Sequence, residues 1–248
     1  MKNVVLEDQG AIAVMRLTSG VTNAIGPEMV EDLAAALQEV QGRFRGMVLA
    51  GGSKFFSIGL DLPALLKLDR AGMREFWVKF EDAVLGLYTL PVPTAAAITG
   101  HAPAAGTILA LTCDFRLISA GKSVTGLNEI RIGLPVPFLA DLMLRQIAGD
   151  RAATEIEYTG ELLAPQKAQA LNLVDSVLPQ EEVEAKAIAQ VSEILKHPPF
   201  GFALTKQLRT RDIRAQFLAG RESVNRAFMD CWFSDPVQRI LKEASKKF

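Results

Sequence analysis

The stretch Gly46-Met47-Val48-Leu49-Ala50-Gly51-Gly52 decides the class of fold. A short apolar run without alternation, cut off by two glycines, is what a strand buried on both faces requires, and such strands belong to parallel sheets covered by helices. Reading outward, residues 11–17 alternate loosely and end in Thr18-Ser19-Gly20, a strand and a turn. Pro27 then opens a helix at a favoured first-turn position, and Met29, Val30, Leu33, Ala34, Leu37 and Val40 share one face of it up to a stop at Gly42. Beyond the glycine pair, the pattern predicts an amphipathic helix over 73–90, stopped by Pro91 and Pro93. A buried strand at 94–98, a small-residue loop at 100–106, a helix at 107–111 and a strand at 113–119 follow. This alternation implies an α/β fold with a mainly parallel sheet and right-handed crossovers.

From about residue 140 the chain reads almost wholly as helix. Residues 160–165 break it, 168–178 read as a helix leading to a short extended segment, and 182–195 and 205–228 complete the helical end. No linker, charge block or internal repeat divides the 248 residues, so a single folding unit is expected.

Composition narrows the function. The chain is 49% hydrophobic with a formal net charge of -1, both signs interspersed, which argues against a nucleic-acid partner. Local basic residues could still meet the phosphates of a small ligand. Cys113 and Cys231 lie far apart, as do His101 and His197, so neither a zinc site of the usual spacing nor a disulfide framework is expected. A reducing compartment fits such cysteine usage. Acids at Glu7 and Asp8 precede any signal-peptide core, and no apolar run has the length of a membrane span. The expectation is a soluble protein without a membrane partner, cytoplasmic or in an organelle matrix.

Three segments carry chemistry. Phe55-Phe56-Ser57-Ile58-Gly59-Leu60-Asp61-Leu62 follows the decisive strand, with a glycine that lets the backbone approach a ligand and an aspartate able to cap the next helix. Gly100-His101-Ala102-Pro103-Ala104-Ala105-Gly106-Thr107 joins a strand to a helix through small residues that would expose main-chain N–H groups, though it matches no phosphate-loop pattern. Gly126-Leu127-Asn128-Glu129-Ile130-Arg131-Ile132-Gly133-Leu134-Pro135 sets one carboxylate among apolar residues, where desolvation would raise its pKa and suit it to proton transfer. Taken singly, these are two tight turns and a glutamate that could equally be exposed or paired with Arg131.

Together, in this order and spacing, they resemble the crotonase (enoyl-CoA hydratase/isomerase) superfamily over residues 11–179. APAAG, ALTCDFRL and GLNE are especially similar to the wording of its mitochondrial-type Δ3,Δ2-enoyl-CoA isomerases. The resemblance implies a crotonase-like (ClpP/crotonase) spiral of β-β-α units over 1–195, with a helical C-terminal part, 196–248, in the same folding unit and used for trimerisation. It implies a homotrimer or a pair of trimers. The substrate would be an acyl-CoA, with no separate cofactor and no metal.

Residue by residue, the resemblance implies that the main-chain N–H groups of Leu60 and Ala105 grip the thioester oxygen and that Glu129 is the acid/base. Ala24, Ser57, Gly59, Asp61, Leu62, Gly106 and Lys206 match positions that shape the substrate site or meet CoA, Lys206 by way of phosphates from a neighbouring subunit. Two positions depart from the family pattern. Ala105 stands where glycine is usual, and alanine tolerates positive φ poorly; Ile58 stands where a small alanine is usual. The second glutamate of the family's hydratases falls at Ile108, which cannot orient or deprotonate water. The expected activity is therefore isomerisation of 3-enoyl-CoA to trans-2-enoyl-CoA in the breakdown of unsaturated fatty acids. The alternatives are another crotonase reaction, such as hydration or thioester hydrolysis, and a crotonase-like protein that binds acyl-CoA without turnover. Phe76, Trp77 and Phe80, at helical spacing, are candidates for an acyl-pocket wall or for plain core packing.

Overall fold

The computed structural model describes residues 1–246. Strands β1 (Val4–Gln9) and β2 (Ile12–Leu17) form an antiparallel hairpin, and β3 (Gly46–Ala50), β4 (Thr94–Ile98), β6 (Phe115–Ser119) and β8 (Ser176–Leu178) extend it in parallel. The sheet order is β1-β2-β3-β4-β6-β8. Its central strands are buried on both faces, and each face takes alternate residues. Met15, Met47, Leu49 and Ile98 join the main core with α1 (Pro27–Arg43) and α3 (Arg70–Tyr88). Ile12, Val14, Val48, Ala50, Ala95 and Ala97 face α8 (Gln180–Leu195), which packs Val183, Ala187 and Val191 against them. Two alanines on this face of β4 let that helix lie close.

Strands of the main sheet lead into extended segments turned out of it. After β4 comes β5 (Ala102–Pro103) and then α4 (Ala105–Leu111); after β6 comes β7 (Thr125–Gly126), a 3₁₀ turn (Glu129–Ile132) and α5 (Phe138–Ala148). Residues 55–60 play the same part between β3 and the short α2 (Leu62–Leu65). These outlying segments pair with one another: Ile25 with Leu60, Phe55 with His101, β5 with β7, and Thr125 with Leu163. The result is a spiral of β-β-α units with a second layer of short bridges stacked beside the main sheet.

The helical end is longer than the pattern predicts. Between α5 and β8 lie α6 (Asp150–Thr159) and α7 (Pro165–Ala170), then α8, α9 (Pro199–Trp232) and α10 (Asp235–Ser245). Of the helix and short extended segment expected over 168–178, the extended end is β8, while the helix is shorter than expected: α7 stops at Ala170, because Asn172 adopts a left-handed conformation (φ 59) that reverses the chain into β8. Strand β6 starts at Phe115, not at 113. Cys113 is buried but lies in the turn ahead of the strand, where its N–H donates to the Ala110 carbonyl. Phe217, Phe228 and Trp232 of α9 join the main core, so this helix is laid over the spiral.

Candidate active site

Two glycines bring the first two predicted segments into backbone contact. A Cβ on Gly106 would lie 2.3 Å from the Ser57 carbonyl oxygen, so only glycine allows α4 to begin there. Gly59 (φ 99) turns the other segment, and a Cβ there would lie 3.3 Å from the Ala105 nitrogen. The Ile25–Leu60 bridge uses the Gly59 carbonyl and the Asp61 N–H, at 2.8 and 3.0 Å, and so leaves the Leu60 N–H on the opposite side. Ala105 opens α4, where a helix has unpaired N–H groups. Among the described residues, neither N–H has an acceptor, and both residues line one cavity of about 240 Å³. Ala105 is not the residue with positive φ, which corrects the sequence expectation; that conformation falls on Ala104 (φ 50), whose N–H donates to Gly126 and whose carbonyl accepts from Ile108. A non-glycine residue held there stores about 1 kcal/mol or more of strain, which the surrounding bridges maintain.

Glu129 faces the same cavity from the start of the 3₁₀ turn. Gly133 (φ 75) closes that turn, and the Leu134 N–H returns to the Glu129 carbonyl at 3.1 Å. The side chain is 6% exposed and makes no ion pair with Arg131, whose Nε donates to the Thr159 carbonyl instead. Its Oε2 has no hydrogen-bond partner among the described residues. Burial pushes its pKa up to about 7, against the effect of its own backbone N–H, and the charge of Glu157 adds to the rise. A carboxyl with a pKa near neutrality can both take and return a proton.

The remaining walls are apolar. Ile58, Leu62, Trp77, Phe80, Ile108, Ile132, Leu134 and Leu162 contribute, and Glu129 is the only titratable side chain among the described lining residues. Phe76 lies outside this lining and is core. Asn128, which precedes the 3₁₀ turn, lines the cavity too. Phe228 from α9 and Ala244 from α10 close it, two residues the sequence reading missed. Trp77 fixes the closure: its ring stacks on Phe228, and its Nε1 donates to the Asn225 side chain at 3.2 Å. The Asn225 amide in turn donates to Glu81, which also accepts from Arg221. Glu81 is buried, and desolvation raises its pKa in spite of those two donors.

The side chains of two predicted substrate-site residues, Ser57 and Asp61, bond the backbone around the cavity. Ser57 is fully buried; its hydroxyl donates to the Asn23 carbonyl at 2.7 Å and accepts from the Gly59 N–H at 3.2 Å, holding the turn that frees Leu60. Asp61 accepts from the Ala64 N–H at 3.0 Å and caps α2, and its side chain is not in the lining. Ala24 follows Asn23 (φ 50) beside the Ile25–Leu60 bridge, outside the cavity. His101 packs its ring on Phe55 and its carbonyl accepts from Phe56 and Ser57, a loop role.

Lys206 lies outside the Glu129 cavity. It is 5% exposed, and its ammonium donates to Asp114 at 2.8 Å, the Val92 carbonyl at 3.0 Å and Thr94 at 3.3 Å. The head group meets three oxygens where α9 reaches the start of β4, so within this chain it is a buried, paired lysine. Asp114 and Arg116 are structural, each with its own partner: Asp114 pairs with Lys206, and Arg116 with Asp175 at 3.0 Å.

Glu157, which the sequence reading also missed, lies on α6, the helix packed on the 3₁₀ turn. Ala153 and Ile156 are the buried residues of that helix, and position 157 falls on their face, so a half-buried acid is legible from the 3.6-residue period.

A spiral of β-β-α units with its cavity between these segments is the crotonase fold. The chain belongs to the enoyl-CoA hydratase/isomerase family, whose sequence model matches residues 7–243. Human mitochondrial enoyl-CoA delta isomerase 1 is 29% identical over 240 residues, 95% of this chain and 80% of the relative. A putative enoyl-CoA hydratase of Thermus thermophilus is 33% identical over 209 residues, 81% of each chain. The crystal structure of human mitochondrial delta3-delta2-enoyl-CoA isomerase superposes with a TM-score of 0.95 at 27% identity, covering 99% of this chain and 97% of that one. The protein is thus an enzyme of this family, and an acyl-CoA substrate fits it. No described helix is long and apolar enough to cross a membrane.

Proposed function

We propose that this enzyme is an enoyl-CoA isomerase that converts 3-enoyl-CoA to trans-2-enoyl-CoA. The observation that carries the reading is a cavity with one carboxyl, Glu129, and two main-chain N–H groups without protein acceptors, those of Leu60 and Ala105. Ionised Glu129 takes a proton from C2 of the substrate, and the electron pair moves onto the thioester oxygen. The N–H groups of Leu60 and Ala105 stabilise that charge; loss of one such donor costs about 3 kcal/mol of transition-state stabilisation. Glu129 then returns the proton at C4, and the double bond forms between C2 and C3. No atom is gained or lost, so one carboxyl suffices.

Ile108 supports isomerisation over hydration, because it presents an alkyl side chain where a second acid would have to hold water. Apolar walls also protect the charged intermediate from side reactions. The hydratase reading draws on the Thermus relative, and binding without turnover is the remaining alternative. Purified protein given 3-hexenoyl-CoA is expected to form the conjugated thioester, followed by ultraviolet absorbance, while Glu129→Ala does not. Hydration of crotonyl-CoA well above background, with no conjugation of the 3-enoyl substrate, would move the assignment to hydratase. Tight acyl-CoA binding with neither reaction would leave a binding protein. In quaternary structure we propose a trimer; light scattering that gives a monomer contradicts it.

A further inference from the structure

The cavity that Glu129 faces is small, and one of its sides is solid aromatic packing. Its volume is about 240 Å³, below the roughly 300–1,000 Å³ usual for small-molecule sites. Trp77, Phe80 and Phe228 form that side, and each is at most 3% exposed. Trp77 stacks on Phe228 with centroids 3.8 Å apart and tilts against Phe80 at 5.7 Å. A second layer stands behind them: Phe76 stacks on Phe80 and Trp232 on Phe228, both at 6.2 Å, and neither lines the cavity. The wall is also pinned by polar bonds. Trp77 Nε1 donates to Asn225 at 3.2 Å, and the Asn225 amide and Arg221 donate to one oxygen of buried Glu81, at 2.7 and 2.8 Å. Turning the indole aside would leave the Asn225 oxygen buried without its donor.

We propose that the stacked pair Trp77 and Phe228 is the chain-length stop of the acyl site, and that the substrate is a short-chain 3-enoyl-CoA, of about six carbons. The inference rests on this cavity being the acyl site of the proposed isomerase and names the class of substrate it takes. An apolar protein cavity of about 150 Å³ accommodates benzene, which allots about 25 Å³ to each non-hydrogen atom. At that density this cavity holds about ten such atoms. A six-carbon acyl chain with its thioester oxygen and sulfur makes about eight, and a twelve-carbon chain about fourteen. The shorter chain fits and the longer one does not.

The other end of the substrate is fixed by the chemistry. The N–H groups of Leu60 and Ala105 take the thioester oxygen, and Glu129 must reach both C2 and C4, so the chain beyond C4 meets what remains of the lining. Ile58, Leu60, Pro103 and Ala104 are partly exposed, so the CoA portion reaches the donors from their side. Trp77, Phe80, Phe228 and Ile108 are buried and give the tail an apolar surface with no way through. A tail that passed them would have to leave by Ile132 and Ala244, partly exposed where α10 packs on the 3₁₀ turn. Tight binding of a long chain would reveal that route.

The test is calorimetric titration of the full chain with hexanoyl-CoA and dodecanoyl-CoA, saturated thioesters that bind without turnover, each below its micelle-forming concentration. Hexanoyl-CoA is expected to bind about tenfold or more tightly than dodecanoyl-CoA. Equal or tighter binding of the longer chain overturns the proposal. In Phe228→Ala the vacated ring space admits more of the tail, and the preference is expected to shrink to about threefold or less. General loosening of the fold would weaken both ligands together and leave that ratio where it was. An unchanged ratio overturns the assignment of the stop to the stacked pair, and Phe228→Leu carries the same test should the alanine variant not fold. Turnover separates this inference from the reading beneath it. In the wild type, kcat/KM for 3-hexenoyl-CoA should exceed that for 3-dodecenoyl-CoA by the binding ratio or more. Length-selective binding in a protein that converts neither substrate would retain the stop and overturn only the isomerase.

Discussion

The rings of Trp77 and Phe228 stack with centroids 3.8 Å apart and an interplanar angle of 15°, joining α3 to α9 at the wall of the cavity. Because the same indole donates to Asn225, one side chain fixes both the height and the rotation of α9. Truncating the partner ring, Phe228→Ala, is expected to cost about 3 kcal/mol or more in urea denaturation, since a buried aromatic leaves a cavity that cannot fully collapse. The same change should raise KM for short acyl chains more than it lowers kcat, because it removes wall and not chemistry.

Glu129→Gln is expected to abolish double-bond migration while stabilising the protein at neutral pH. The Glu129 carboxyl is raised in the folded state from an ordinary value of 4.5 to about 7. Its contribution to stability is therefore fully present below about pH 4.5 and is lost as pH rises through about 7. The loss amounts to about 3 kcal/mol. Urea midpoints measured from pH 4.5 to 8 should fall less in the glutamine variant than in the wild type. An identical slope in both would contradict a carboxyl buried without a partner.

The acidic limb of activity follows from the same value. Only ionised Glu129 can accept the C2 proton, so kcat/KM for 3-hexenoyl-CoA should rise with pH and level off above about 7. A limb near the pKa of a free glutamate would place the working base in water, and would count against this cavity.

Gly106→Ala tests the donor pair without touching a side chain of the cavity. The new Cβ would meet the Ser57 carbonyl oxygen at 2.3 Å, so α4 must back away and carry the Ala105 N–H with it. Loss of one aimed donor predicts a fall in kcat of about a hundredfold. Acyl-CoA affinity measured by calorimetry should change far less.

Lys206→Met separates structure from CoA binding. Removing the ammonium leaves Asp114 with only the Thr94 N–H and hydroxyl, at 2.8 and 2.9 Å. The ammonium is buried but Asp114 is part-exposed, so breaking the pair predicts a loss of about 2 kcal/mol, and adding Asp114→Asn should recover part of it. KM for acyl-CoA is expected to stay unchanged; a tenfold rise in a folded variant would return Lys206 to the ligand.

Much of this was legible before folding. The glycine-terminated run at 46–50 and the alternation of strand and helix specified a parallel α/β sheet, because a strand buried on both faces needs no polar alternation. Glu129 was marked by its apolar neighbours, and Ile108 by its place in the second segment. Helix α10 is not legible in the pattern, since its apolar positions Val237 and Leu241 are few among charged ones. The spacing from Ala153 and Ile156 does put Glu157 on the inner face of α6.

Local patterning determined which segments would be strands, which glycines would turn the chain, and which carboxyl had apolar company. Those properties depend on neighbours within a few residues. Only the tertiary structure decided that Leu60 and Ala105, 45 positions apart in number, would share one cavity with unpaired N–H groups. It alone paired Lys206 with Asp114 and brought Phe228 into the cavity that Glu129 faces. Donor direction and burial are set by what packs across the chain, and that contact order is not written in any single segment.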